Sequence, residues 1–259
     1  PDGSPTLTSA LVMPDAVGVQ MLVTHSPQVF ISSADGGSLL VWRSDGDAPF
    51  SASAVDYPEE VGVAVSGIFV THGGEDHLIT GHESGRMLIW SVAANVGLSL
   101  RHTVDLRMAE AIDYVHDDEP LRHIRGLANW RDGVVIAGSE DGGLHQVRLS
   151  DGAILSQRLF NPEARLGIND IAVHGDHLLA VNCAIDRHDH NVWLFSLHDD
   201  RIEHRDAANL LRDPDRDRIF AFDVITHEQD GEPLAAITTK EGLVWSVRFD
   251  DGTLRPAGH

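Results

Sequence analysis

Apolar and polar residues alternate along most of this chain in short runs, and Gly- or Asp-bearing turns separate them. Alternation with a period of two predicts β-strands with one face more buried than the other. Residues 61–108 show the plan. An apolar, small-residue strand spans 61–71, and His72-Gly73-Gly74 turns the chain. A second strand covers 77–80, and Glu83-Ser84-Gly85 turns it again. A third alternates over 86–92 toward Trp90, and a fourth covers 98–106. Gly and Asp suit the tight turns, while β-branched and aromatic residues fill the pleated faces. A stretch at 107–115 places Met108, Ile112 and Val115 at helical spacing and predicts a short helix.

The four-strand unit recurs. Five residues past Gly37, Gly85, Gly142 and Gly242 stand Trp42, Trp90, Val147 and Val247, each closing an apolar strand. A fifth copy runs from Asn191 to Phe195, one residue shorter. These anchors are 48, 57, 48 and 52 residues apart. A period of roughly 50 built from short strands predicts a β-propeller of four-stranded blades. Other columns keep the phase. His25, His72, Arg131, His174 and His227 open the turn after the first strand. Asp45-Gly46, Asp151-Gly152, Asp199-Asp200 and Asp251-Gly252 follow the third, and Ala94-Asn95-Val96-Gly97 stands there in the second unit.

The ends share this phase. Asp2-Gly3, a strand at 5–13 and Pro14 match Asp45-Gly46, 50–55 and Pro58, so the chain starts at the last strand of a unit. Two architectures follow. Strand 5–13 closes a five-bladed ring beside 243–249, leaving 253–259 redundant. Alternatively, 253–259 is the fourth strand of the fifth unit, and the chain is a slice of a six- or seven-bladed ring. Residues 1–259 then form one propeller domain. The start at Pro1, without an initiator Met, points to a longer polypeptide.

The stretches "VVIAGSEDGGLHQVRLSDG" (134–152), "LITGHESGRMLIWSV" (78–92) and "ISSADGGSLLVWRSDG" (31–46) resemble the WD-repeat family over nearly the whole chain. The copies are degenerate. Arg43 and Ser91 stand where an Asp usually follows the Trp, Gly81-His82 lies out of the usual phase, and Gly258-His259 falls near where a Gly-His pair would open another unit. The resemblance implies a non-enzymatic scaffold or sensor module that binds proteins. It also implies that packing between blades carries more of the stability than the usual hydrogen-bond brace. Bacterial propellers of this kind resemble regulatory domains attached to kinases, proteases or signalling ATPases.

Composition narrows the functions. Apolar residues make up 42% of the 259, enough for a packed core. No apolar run reaches the ~20 residues of a membrane span, and no signal segment opens the chain. Forty acids against nineteen bases give a net charge of −21, which repels phosphate backbones and argues against nucleic acid as a partner. Lys240 is the one lysine, an Arg bias that fits a high-GC bacterial genome. Cys183, the one cysteine, permits no internal disulfide, fits a cytoplasmic protein and reads as a structural thiol in an apolar strand.

Function is left to the loops that break the repeat. The turn between strands two and three shares a rim with the connection to the next blade. Those connections carry Glu59 and Glu60; Glu110, Asp113, Asp117 and Asp118; and Asp213, Asp215 and Arg216. They are candidate docking residues for a basic protein partner, or for other domains of the same polypeptide; solvated loops are the competing reading. Asp186, His188 and His190 form a candidate divalent-metal site, with a solvated hairpin tip as its competitor. No other cofactor is implied. No nucleophile elbow or phosphate loop is visible. A carbohydrate-cleaving propeller with converging carboxylates is the alternative enzyme reading, though fifteen aromatics offer little for sugar stacking.

Overall fold

The alternating runs fold into antiparallel meanders, each strand pairing with the one before it. A computed structural model describes residues 19–34, 38–45, 49–108, 115–116, 119–160, 167–184, 190–209, 219–240, 242–250 and 252–258. Blade I comprises β1 (Val19–Ser26), β2 (Val29–Ala34), β3 (Ser38–Arg43) and β4 (Ser51–Val55). Blade II comprises β5 (Ala64–His72), β6 (Glu75–His82), β7 (Arg86–Val92) and β8 (Leu98–Asp105). A two-stranded hairpin follows, β9 (Val115–His116) with β10 (Glu119–Pro120). Blade III comprises β11 (Ile124–Arg131), β12 (Val134–Ser139), β13 (Gly143–Arg148) and β14 (Ile154–Leu159). Blade IV comprises β15 (Ile168–His174), β16 (His177–Ala184), β17 (Val192–His198) and β18 (Arg201–Ala208). Blade V comprises β19 (Ile219–Gln229), β20 (Glu232–Thr239), β21 (Val244–Asp250) and β22 (Thr253–Gly258). Cys183 and Ala184 also pair with the start of β19, joining blades IV and V.

The first strand of every blade carries a register shift at the same place. It falls at Gln20, Val65, Arg125, Asn169 and Phe222, each flanked by paired neighbours. Such a bulge sharpens local twist and re-aims the residues after it. The residues that follow, Met21, Ser66, Gly126, Asp170 and Asp223, therefore hold equivalent positions. First strands pack in the order β1, β5, β11, β15, β19, and no comparable packing joins β19 back to β1 among the described residues. At Gly126 the approach leaves no room for a side chain: a Cβ there would stand 2.8 Å from the Ile171 backbone nitrogen.

Four apolar cores fill the junctions between successive blades. Ile31, Leu39 and Val41 meet Leu78, Leu88 and Trp90 between I and II. Ile79, Met87 and Ile89 meet Val135, Ala137 and Val147 between II and III. Ile136, Leu144 and Phe160 meet Leu178, Trp193 and Phe195 between III and IV. Leu179, Val181 and Leu194 meet Ala235, Trp245 and Val247 between IV and V. The anchors Trp90, Val147, Phe195 and Val247 each face the preceding blade, so the column read in the sequence marks one side of every sheet.

Two expectations are corrected. The place beside β21 is taken by β22, so residues 253–258 are the fourth strand of blade V and not a redundant tail. Strand 5–13 lies outside the described residues. The helix expected at 107–115 does not reach Val115, which pairs with Pro120; residues 109–114 lie outside the described residues.

Candidate functional site

The connection from blade I to blade II carries the expected docking residues that lie among the described residues, Glu59 and Glu60. Pro58 leads into a single 3₁₀ turn, Glu59–Val61, and Gly62, at φ 73°, ends it in the left-handed region that favours glycine. Val61 is fully buried in the core between blades I and II. Burial of one residue fixes the turn and leaves its two neighbours outside, so Glu59 and Glu60 are exposed.

Blade II pins this turn at four points. Arg86 donates to the Glu60 carbonyl at 2.7 Å. The Val63 N–H donates to the Glu83 carboxylate at 3.2 Å, and the Glu83 N–H donates to the Val63 carbonyl at 3.0 Å. His82 Nδ1 lies 3.0 Å from the Gly62 carbonyl. A carbonyl only accepts, so Nδ1 carries the proton and Nε2 is left to accept. Thr80 Oγ1 stands 2.8 Å from that Nε2 and itself accepts from Trp90 Nε1 at 3.1 Å. The result is a buried relay, Trp90 to Thr80 to His82 to Gly62, that ties the anchor of the blade to the loop joining it to blade I. Burial drives the His82 pKa down to about 4, so the ring is neutral at pH 7.

The sequence reading assigned bracing to apolar packing, and the structure adds these polar links. Trp42 Nε1 donates to Ser32 at 2.9 Å, and Trp193 Nε1 to Asn182 at 3.0 Å. Gly81-His82 marked the relay in the sequence but stood out of the expected phase.

Blade III pins its own entry differently. Glu140 stands where Glu83 does and accepts from Arg125 at 2.8 Å, with His123 at 3.0 Å. Burial works to raise the Glu140 pKa, but His123 and Arg125 outweigh it and hold the carboxyl below its usual range. Arg125 and Arg107 are partly exposed on this rim, so its described part mixes both signs.

The opposite rim is cross-braced from blade to blade. His25 meets Asp76 at 3.2 Å and His72 meets Asp132 at 2.6 Å. Arg131 meets Asp176 at 3.0 Å and also pairs with Asp199, and His174 meets Glu228 at 3.5 Å. Trp130 donates to Asp176 at 3.0 Å beside Arg131, whose guanidinium stacks on the Trp130 ring. The repeating His/Arg column is thus a set of inter-blade latches, its partners hidden from sequence because each lies a whole blade away. A groove of about 530 Å³ opens beside the first latch, lined by His25, Glu75, Asp76, Ser91 and Arg101 among others.

Asp170 is the one described carboxyl held well above its ordinary range, at about 7. Burial is the main cause and the Asp223 charge adds to it, while hydrogen bonds from the Val224 and Ile171 backbones oppose it. The Val224 N–H reaches it at 2.9 Å from the next blade. Its role is therefore a junction between blades. Cys183 is half-buried, and Asn169 Nδ2 lies 3.2 Å from its sulfur.

Among the other expected site residues, His190 is exposed with its ring edge-on to Trp193 at 5.5 Å. Asp186 and His188 lie outside the described residues, as do Glu110, Asp113, Asp117, Asp118, Asp213, Asp215 and Arg216. No group of three His, Cys, Asp or Glu suited to a metal ion occurs among the described residues. No helix among them is long and apolar enough to cross a membrane.

No protein-family model and no curated protein sequence matches the chain. Solved structures do. The WD40 β-propeller domain of Doa1 superposes with a TM-score of 0.61 at 16% identity, over 98% of this chain and 72% of that one. The β-propeller domain of Myceliophteria thermophila Cps50 (Swd1) gives 0.59 at 11% identity, over 92% and 72%. The computationally designed Ika4 protein gives 0.51 at 12% identity, over 75% of this chain and all of that one. With its five four-stranded blades, its common bulge and these neighbours, the chain has the WD40 type of β-propeller fold.

Proposed function

We propose that the chain is a non-enzymatic interaction scaffold or regulatory module, which docks a basic protein partner on the rim that carries the Glu59–Glu60 turn. One observation carries this reading. On the opposite rim the recurring side chains of blades I to IV, His25, His72, Arg131 and His174, are consumed in latches between blades, whereas Glu59 and Glu60 are exposed, have no side-chain partner among the described residues, and stand on a backbone pinned to blade II. Acids held rigidly and left unpaired suit recognition of a cationic surface. Residues 109–118 carry Glu110, Asp113, Asp117 and Asp118 into the next connection, and 211–218 carry Asp213, Asp215 and Arg216, extending the acidic face by sequence. With a net charge of −21 the whole molecule steers cations toward it. The cytoplasm, as a compartment without need of disulfides, fits this role.

An arginine-rich decapeptide is a suitable probe in titration calorimetry. Its affinity is expected to fall at least tenfold between 50 mM and 500 mM salt, and again in the Glu59→Gln/Glu60→Gln/Asp117→Asn/Asp118→Asn variant. Affinity indifferent to salt, or unchanged in that variant, overturns the reading.

A further inference from the structure

Each blade ends on an outer strand with one unpaired side: β4, β8, β14, β18 and β22. Such an edge presents backbone N–H and C=O groups to any extended chain that reaches it, and folded proteins blunt it with charges, proline or a bulge. Four of the five edges are blunted twice. Opposite the anchor each has a bulge, with one residue left out of the pairing: Arg101 in β8, Leu155 in β14, Arg205 in β18 and Ala257 in β22. Each also carries charge: Arg101 and Asp105, Arg158, Arg201 and Glu203, and Arg255.

In blade I neither device is present. β4 reads Ser51-Ala52-Ser53-Ala54-Val55, without charge or proline, and pairs with β3 in unbroken register from Arg43 with Ser51 to Leu39 with Val55. Ser51 to Ala54 are all exposed. The edge is nonetheless held in place. Arg43 Nη1 donates to Ser53 Oγ at 3.0 Å, while its Nε and Nη2 donate to the Asn95 and Val96 carbonyls of blade II at 3.2 and 2.9 Å. A flat, uncharged and fixed edge suits addition of a further strand. Its C-terminal end is acidic. Asp56 follows Val55, and Glu59 and Glu60 stand on the pinned turn just beyond; all three are exposed, without a side-chain partner among the described residues.

We infer that β4 takes up an extended segment of a partner protein as a fifth strand of blade I, antiparallel to β4, with basic residues at the N-terminal end of that segment. Antiparallel addition continues the pairing of the whole sheet and sets the guest's N-terminal end beside Asp56, Glu59 and Glu60. Its basic flank rests on the docking role proposed for the acidic turn; its extended shape rests on β4 alone. The short side chains of Ala52 and Ala54 leave room beside them for β-branched residues of the guest. A second copy offering its own β4 is disfavoured, because two chains of −21 repel.

The probe is a capped heptapeptide of two arginines followed by alternating threonine and valine, titrated into the 259-residue chain. One version is N-methylated at its threonines and another at its valines, since alternate amides of an added strand face β4 and solvent. One version should lose at least tenfold in affinity and the other stay within about twofold of the unmethylated peptide. On the protein, Ser53→Pro and Ala54→Pro remove adjacent N–H groups, one directed at β3 and one outward. The variant that keeps the melting temperature should bind the peptide at least tenfold more weakly. Two methylated versions that bind alike, or a folded proline variant of unchanged affinity, overturn strand addition; if binding still weakens with salt, acidic docking survives it. A difference between the versions that is indifferent to salt keeps strand addition and removes the acids from it. No binding of the unmethylated peptide at about 1 mM overturns the inference. So does a dimer whose β4 amides resist hydrogen exchange without peptide, which would make the occupant a second copy.

Discussion

Blades II and III are neighbours built on one plan, yet they treat a buried histidine in opposite ways. In blade II, His82 completes a relay in which every donor finds an acceptor, and the chain of bonds ends on the Gly62 carbonyl. In blade III, His145 is as buried, but neither ring nitrogen has a partner among the described residues. Ser139 beside it donates instead to Asp141, which shapes the turn by accepting from the Gly143 N–H at 3.1 Å. The difference follows from the anchor. Trp90 brings an N–H that needs an acceptor; Val147 brings none. A blade with an apolar anchor folds without the relay, and its polar neighbours serve the turn locally. The relay is thus an option that the repeat tolerates losing, and in blade II it also holds the turn bearing Glu59 and Glu60.

The largest effect that can break this comparison is removal of the anchors. Trp90→Ala deletes a fully buried indole and cuts the relay at its source, so a loss of about 3–5 kcal/mol is expected. Val147→Ala removes two methyl groups and costs about 2 kcal/mol. Urea midpoints at constant m measure both. Equal losses would show that the relay adds nothing to packing.

The pH dependence of stability comes next. Burial drives both His82 and His145 from 6.5 to about 4. For each, the unfolded chain takes a proton below pH 6.5 that the native state refuses until pH 4. Stability is therefore intact above pH 6.5 and falls toward pH 4, by about 1.4 kcal/mol per pH unit for each ring. Asp170 runs the other way. Raised from 3.8 to about 7, it keeps its proton when folded, so its contribution is present below pH 3.8 and is lost as pH rises to 7. The two histidines thus act against Asp170 between pH 4 and 6.5. Asp170→Asn, which can still accept from Val224, should steepen the slope of stability against pH by about one proton, and His145→Leu should flatten it by about one. Urea midpoints at pH 5 and 6 read each slope; no change in either variant would count against the burial of these groups.

The same two histidines give a smaller, sharper contrast at pH 7. His82→Leu leaves Thr80 and the Gly62 carbonyl without their partner and should cost about 1–3 kcal/mol. His145→Leu removes an orphaned ring and should be neutral or stabilising. Loss of arginine-rich peptide affinity is expected in His82→Leu alone, because only that ring positions the Glu59–Glu60 turn. Matched stability changes would erase the contrast.

These contrasts also show what the sequence could carry. Alternation and the anchor column located the strands: the third strand of blade II, read at 86–92, is β7 itself. Side-chain period is local, and so is turn chemistry. The bulge at Gln20, Val65, Arg125, Asn169 and Phe222 was not legible, because five unlike residues hold it and backbone pairing alone defines it. The latches were half legible. The His column was visible as a turn feature, but Asp76, Asp176 and Glu228 lie 51, 45 and 54 residues from His25, Arg131 and His174. Of the proposed docking face, Glu59 and Glu60 were read from charge and their place between blades; their fixation by Val61, Arg86 and His82 depends on tertiary packing.

The smallest effect concerns the latches on the opposite rim. At the junction of blades II and III the latch is His72 with Asp132, and at III and IV it is Arg131 with Asp176 and Asp199. The Arg131 guanidinium also lies over the Trp130 ring, 4.0 Å from its centroid. All these groups are substantially exposed, so solvent and salt screen them. Arg131→Gln should cost up to about 1 kcal/mol at low ionic strength and much less at 1 M salt. His72→Gln should cost less still, since Gln can also donate to Asp132. A loss at Arg131 that persists in 1 M salt would mean that the guanidinium acts through its stacking on Trp130 and not through its carboxylates. Because the latches contribute so little singly, the braced rim owes its order mainly to the four apolar cores behind it, and the charges select which blade turn lies against which.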